Sequence, residues 1–127
     1  MAVLAEPSPR VALGAFTRIA DRWNLAPEQR AVLLGRSGRT AYRYEKPPNR
    51  LAGDLRERIS LLVGIYEDLR MLFGAGPLAD GWVKRPNRDF GDHAPLDRML
   101  AGQVGDLVAV RRYLAVARQG ITPRGAA

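Results

Sequence analysis

The chain has 127 residues with a formal charge of +7; 46% are hydrophobic and 26% charged, and there are no cysteines and one histidine, His93. That balance belongs to a chain that folds, and it excludes a disulfide framework, a thiolate nucleophile and a cysteine zinc site, so neither metal nor cofactor is expected. No apolar run is long enough to cross a bilayer, and Met1 to Pro9 lacks the charged start and apolar core of a signal peptide, so no membrane association is expected and the cytoplasm is the expected location.

Apolar residues recur at spacings of three and four and no segment alternates, which predicts an all-α fold. Ala12, Phe16, Ile19, Ala20 and Trp23 share one face of a first helix from Arg10 to Trp23. Pro27, whose missing N–H costs nothing in a first turn, opens a short second helix; Glu28 complements its dipole and Gly35 supplies a left-handed stop. Ser37 caps a third helix running to Glu45, where Lys46 precedes the blocking pair Pro47 and Pro48. Three short helices in this order predict a helix-turn-helix.

A helical wheel places Arg36, Arg39, Arg43 and Lys46 within an arc of about 80° on that third helix, opposite Ser37, Ala41 and Tyr44. A recognition helix needs such an arrangement, with long donors facing phosphates and base edges and the other side packed on its neighbours. Thr40 and Tyr42 flank the stripe as further DNA contacts, and the capping Ser37 is counted with them as DNA-binding. A solvated cationic face is the structural alternative, and net charge does not decide between them. Residues 1–75 carry 12 Lys/Arg against 8 Asp/Glu, and residues 76–127 carry 8 against 5. Neither half is basic enough by itself to establish DNA binding.

Asp54, with Glu57 three residues on, reads as the capping box of a long central helix. Its apolar residues Leu55, Ile59, Leu62, Tyr66, Leu69 and Phe73 step by four and three, and Leu61, Ile65 and Leu72 widen the stripe. The width suggests a homodimer interface at Leu61, Ile65, Leu69 and Leu72; the alternative is full use by the monomer's own core. Gly74 to Pro77 reads as a hinge. Beyond it, short helices are predicted over Pro77 to Val83 and Pro95 to Ala101, a loop over Arg85 to Ala94, and an amphipathic helix from Asp106 to Gln119 that Gly120 ends. Leu107, Val110, Leu114 and Ala117 face one way on that last helix. The trio His93, Asp89 and Asp92 is the one candidate for acid–base work, but no nucleophile or glycine-rich phosphate loop accompanies it, so no enzyme is expected.

Trp82-Val83-Lys84-Arg85-Pro86-Asn87, Phe90-Gly91, Ala94-Pro95-Leu96-Asp97-Arg98-Met99-Leu100, Gly105 and the closing helix to Gly120 together resemble the toxin-binding domain of the Xre/MbcA/ParS antitoxin family. Leu33 to Tyr44 likewise resembles the Xre-like helix-turn-helix that precedes this domain in the family. Two departures stand out: Ala41 replaces a larger apolar residue, and Gly91-Asp92-His93 replaces a glycine pair.

The resemblance implies a dimeric repressor of its own operator DNA that masks a RES-domain toxin, an enzyme consuming NAD or transferring its ADP-ribose, in a complex larger than the dimer. By the same resemblance Trp82, Asn87, Pro95, Leu96 and Asp97 shape the toxin-binding domain, while Arg118 and Arg124 approach the toxin. Trp82 and Leu96 also read as core, Asn87 as a turn residue, Asp97 as an early-helix acid and Arg124 as an ordinary exposed arginine. The organisation expected is a flexible N-terminus (1–9), a helix-turn-helix and dimerisation domain (10–75), a small helical toxin-binding domain (76–120) and a tail (121–127). A stand-alone dimeric helix-turn-helix regulator is the alternative.

Overall fold

A computed structural model describes residues 8–36 and 53–120 of the chain. Among these residues the fold is all-α, with six helices, two 3-10 turns and no strand. The predicted third helix, with Ser37, Arg39, Thr40, Tyr42, Arg43 and Lys46, lies outside the described residues, as does the tail with Arg124.

Helix α1 (Pro9–Arg22) opens on Ser8, whose hydroxyl accepts from the Val11 N–H at 3.2 Å, and carries Pro at its first position. Both features suit a helix start, where N–H groups lack intrahelical partners. Its buried face is Ala12, Leu13, Phe16, Ile19 and Ala20, with Trp23 as C-cap. Helix α2 (Pro27–Leu33) is tied to the end of α1 by Arg30, which donates to the Leu25 carbonyl at 2.9 Å and meets Asp21 at 2.8 Å. Gly35 then takes φ +76°, and the Arg36 N–H returns to the Ala31 carbonyl at 2.8 Å, which is the left-handed stop the sequence predicts.

Helix α3 (Gly53–Phe73) is the long central helix, and its beginning differs from the expectation. Asp54 lies inside the first turn, and its carboxylate accepts from the Arg58 side chain at 2.9 Å. A capping box with Glu57 is therefore not what orders this end. The broad apolar stripe has an internal explanation too, because α3 packs on α1 along one side and on the last helix along another. Ile65 is 0% and Leu69 1% exposed, so these two expected dimer residues are spent on the chain's own core, while Leu61 and Leu72 are half-buried against it.

The predicted hinge is a turn in which Gly74 and Gly76 take φ +77° and +128°. Helix α4 (Pro77–Gly81) follows, then a 3-10 turn over Trp82–Lys84 and another over Arg88–Phe90 inside the segment expected to be loop. Helix α5 (Pro95–Met99) leads to α6 (Val104–Ala117), whose buried residues are the four predicted, Leu107, Val110, Leu114 and Ala117.

One continuous hydrophobic cluster runs from Leu13 and Phe16 of α1 through Leu55, Leu62 and Leu69 of α3 to Trp82, Leu96, Met99 and Leu114. The N- and C-terminal halves thus share a core, and each buries apolar surface that the other would otherwise leave in water. The entry to α6 adds an acid-sensitive element. Asp106 accepts from the Gln103 N–H at 3.0 Å and from Arg98 at 2.7 Å. The Arg98 hydrogen bond leads in holding this carboxyl below its ordinary value, partial burial works against it, and the Gln103 N–H and the Arg98 charge assist. A carboxyl depressed in the folded state contributes stability that is complete above the unfolded value of about 3.9 and is lost as pH falls through the folded value. Unfolding free energy is therefore expected to drop below about pH 4 in part through Asp106, and urea titrations should show a shallower acid loss for Asp106→Asn.

Candidate functional site

Two surfaces matter, and the structure fixes their roots. The DNA-binding expectation rests on Arg36 and the six residues outside the described segments; Arg36 is exposed immediately after the left-handed Gly35. The chain leaves α2 at a position set by Arg58, which is only 7% exposed. Its guanidinium donates to the Gly102 carbonyl at 2.8 Å and to Asp54 at 2.9 Å, with longer contacts to the Leu33 and Val32 carbonyls at 3.4 and 3.5 Å. A Cβ at Gly35 would stand 2.8 Å from the Arg58 Nε, so this glycine serves both the turn and the approach of the arginine.

In the C-terminal half, Trp82 anchors an aromatic cluster. Its ring stacks on Tyr113 at 6.0 Å and meets Phe90 edge-on at 6.1 Å, and Phe90 meets Tyr113 at 5.1 Å. Asn87 is 4% exposed and organises the loop in front of this cluster. Its side chain accepts from the Asp89 N–H at 2.9 Å, its N–H donates to the His93 carbonyl at 3.0 Å, and its carbonyl accepts from the Phe90 and Asp92 N–H groups at 2.9 and 3.0 Å. Gly91 and Asp92 take φ +67° and +65°, so glycine and aspartate adopt the same left-handed backbone in succession. Asp is among the few side chains that do so readily.

Of the residues expected to shape the C-terminal domain, Trp82, Asn87, Pro95 and Leu96 are buried. Asp97 is exposed and its carboxylate accepts from the Ala94 N–H at 3.2 Å, the early-helix role open to it in the sequence. Arg118 has a specific partner: it donates to Asp68 at 2.7 Å, and Arg111 grips the other oxygen of the same carboxylate. Asp68 is 1% exposed and lies on α3, so the last helix is pinned to the central one by two guanidiniums. The acid–base trio is not isolated either, because Asp89 accepts from the Tyr113 hydroxyl at 2.7 Å. Among the described residues no group of His, Asp and Glu has the arrangement of a metal site, and no helix is long and apolar enough to cross a membrane.

Arg58 and Asp68 were not singled out as functional from sequence. A signal existed, since Arg58 falls between Leu55, Ile59 and Leu62 on the buried arc of a helix, where a charge must find partners.

Comparison with known proteins divides the chain in two. Residues 8–64 match the antitoxin Xre-like helix-turn-helix domain, and residues 68–120 match the antitoxin Xre/MbcA/ParS C-terminal toxin-binding domain. The chain is also 43% identical over 109 residues to "Uncharacterized protein y4oB" of Sinorhizobium fredii (strain NBRC 101917 / NGR234), an alignment covering 85% of this chain and 84% of the relative. The two matched regions meet inside α3, and the second begins at Asp68.

Proposed function

The chain belongs to the Xre/MbcA/ParS antitoxin family, and from that premise we propose that it is the antitoxin of a type II toxin–antitoxin pair. In this reading it masks a RES-domain toxin that consumes NAD or transfers ADP-ribose, represses its own operon by binding operator DNA, and works in the cytoplasm as a homodimer. The observation that carries the reading is the pairing of a helix-turn-helix match with a toxin-binding match on one continuous core.

Co-expression is the direct test. The adjacent reading frame is expected to encode a RES-domain protein, and the chain is expected to restore growth when that protein is induced; failure to rescue would overturn the antitoxin reading. The tail has its own test. Truncation after Gly120 is expected to abolish neutralisation while the complex still forms, because Arg124 then no longer reaches the toxin's site.

DNA binding is assigned to Arg36, Ser37, Arg39, Thr40, Tyr42, Arg43 and Lys46. Four cations per protomer on phosphates predict a log–log salt slope of about −3.6 per protomer. The double charge reversal Arg39→Glu, Arg43→Glu is expected to abolish operator binding in a mobility-shift assay while toxin neutralisation persists. Loss of both functions together would refute the division of labour.

The dimer reading moves to a groove of about 820 Å³ between α1 and α3, where Leu61 lies with Val11, Ala15 and Val63 and is bordered by Arg56, Glu57, Glu67 and Arg111. Val11 is 57% exposed, an apolar side chain left for a second copy to cover. A monomeric mass in solution at micromolar concentration would remove this reading.

A further inference from the structure

The cations assigned to DNA above all follow α2, but α1 carries a set of its own. Arg10, Arg18 and Arg22 are exposed and fall within an arc of about 120° around the α1 axis. The buried residues Ala12, Leu13, Phe16, Ile19 and Ala20 occupy the opposite arc, of about the same width. Lys84 continues the row past the end of the helix: it is exposed, and its ammonium donates at 3.2 Å to the carbonyl of Asn24, just beyond Arg22.

We propose that this row, Arg10, Arg18 and Lys84 with Arg22 among them, lies against the phosphates of a DNA duplex as a second contact surface beside the predicted third helix. The proposal rests on the DNA-binding reading above and extends the footprint to α1 and to a residue of the C-terminal region. Charge is the first argument. Among the described residues, Arg10, Arg18 and Lys84 take part in no ion pair. Arg22 is approached by Asp80 at 3.7 Å and is not counted with them. Asp21, the one acid in α1, shares the exposed arc but is already paired with Arg30 of α2 at 2.8 Å. The row is therefore positive with no acid left to offset it, and a polyanion is its complement.

Shape and spacing narrow the partner. Gly14 stands between Arg10 and Arg18 on the same arc, and only the Arg18 side chain, at 3.7 Å, comes near the place of a Cβ there. Glycine inside a helix is destabilising relative to alanine, and in return it lets another backbone approach closely. From Arg10 to Arg22 the row spans about 18 Å along the axis. A duplex presents one negative charge per about 1.7 Å of its own axis, so phosphates are met along the whole row. No aromatic side chain stands among the cations, whereas a protein partner is held chiefly by buried aromatic or apolar anchors. The exposed Val11 belongs to the groove assigned to the second copy. The three arginines also lie inside residues 8–64, the part that matches a helix-turn-helix domain.

The test is binding of the full-length chain to a duplex from its own promoter region and to an unrelated duplex of equal length. It is read by fluorescence anisotropy from about 50 to 200 mM salt. Three phosphate contacts added to the four of the predicted third helix take the expected log–log slope from about −3.6 to about −6.3 per protomer. Arg10→Gln, Arg18→Gln and Lys84→Gln combined are expected to make the slope shallower by about 2.7. Both duplexes should weaken by the same factor, because phosphate contacts position a protein without reading bases. The three side chains are exposed, so the thermal midpoint is expected to stay where it is. Arg112→Gln removes an exposed cation of α6, outside the row, and is expected to leave the slope unchanged. An unchanged slope in the triple variant overturns the proposal alone. So does a loss of about 0.9 in Arg112→Gln, which would report net charge rather than a surface. Lost toxin neutralisation in the triple variant, with the slope unchanged, would give the row to the protein partner instead. If the unaltered chain binds neither duplex, the DNA reading falls and this proposal with it.

Discussion

Arg58→Ala is expected to lower the unfolding free energy by about 3 kcal/mol, read from the shift of the urea midpoint. The guanidinium is buried and holds together three places far apart in sequence: the carbonyl end of α2 at Val32 and Leu33, the first turn of α3 at Asp54, and the Gly102 carbonyl between α5 and α6. The bonds at 2.8 and 2.9 Å are charge-assisted and directional, while the two longer contacts act chiefly by placing positive charge at the negative end of the α2 dipole. Truncation leaves the Gly102 carbonyl without this donor and removes a buried side chain from beside Gly35. Arg58→Lys should recover less than half the loss, because a single ammonium cannot span acceptors on opposite sides of a fork. Against a typical total of about 5–15 kcal/mol this is a large fraction, and it falls on the joint between the two matched regions. Both operator binding and toxin binding are expected to weaken in Arg58→Ala, whereas the charge reversal at Arg39 and Arg43 is expected to spare toxin binding.

Asp68→Asn is the second large effect, again about 3 kcal/mol by urea denaturation. The carboxylate is 1% exposed and accepts from Arg111 on one oxygen and Arg118 on the other. Asparagine offers one oxygen and one NH2, so one guanidinium faces a donor where it had an acceptor. Hydrogen exchange should locate the damage in the last turn of α6, where Arg118 is the C-cap. A smaller change separates the two arginines. Gly64 leaves the space across which the Arg111 side chain runs, and a Cβ there would collide with it, so Gly64→Ala should displace Arg111 while leaving Asp68 with Arg118. Its cost is expected to be about half that of Asp68→Asn. The pin also changes the meaning of Arg118, which the family resemblance puts near the toxin: in the free chain its charge already serves the fold.

The apolar faces of α1, α3 and α6 were legible in sequence because helical period and burial are coupled whichever partner covers them. Leu107, Val110, Leu114 and Ala117 were identified without knowing what they meet. The stop at Gly35 and the starts at Pro27, Pro77 and Pro95 were legible for a local reason, since each depends on one residue's own backbone preference. The candidate site was legible in part. Trp82, Asn87 and Leu96 are identified through the family resemblance, and they form the buried side of the C-terminal domain; the bond from Tyr113 to Asp89 joins residues 24 positions apart, which no local pattern announces.

What the sequence determined by itself, then, is the helical class, most element boundaries and the antitoxin family, all of which follow from short-range preference or from an ordered string of residues. The tertiary structure decided where the width of the α3 stripe goes, turning Ile65 and Leu69 from expected dimer contacts into core. It also decided that Arg58 reaches Gly102, 44 positions away, and that Arg118 reaches Asp68, 50 positions away. Periodicity reports that a side chain is buried, but only the relative placement of separate helices determines which atoms surround it, and for a buried charge those atoms are what fix its role.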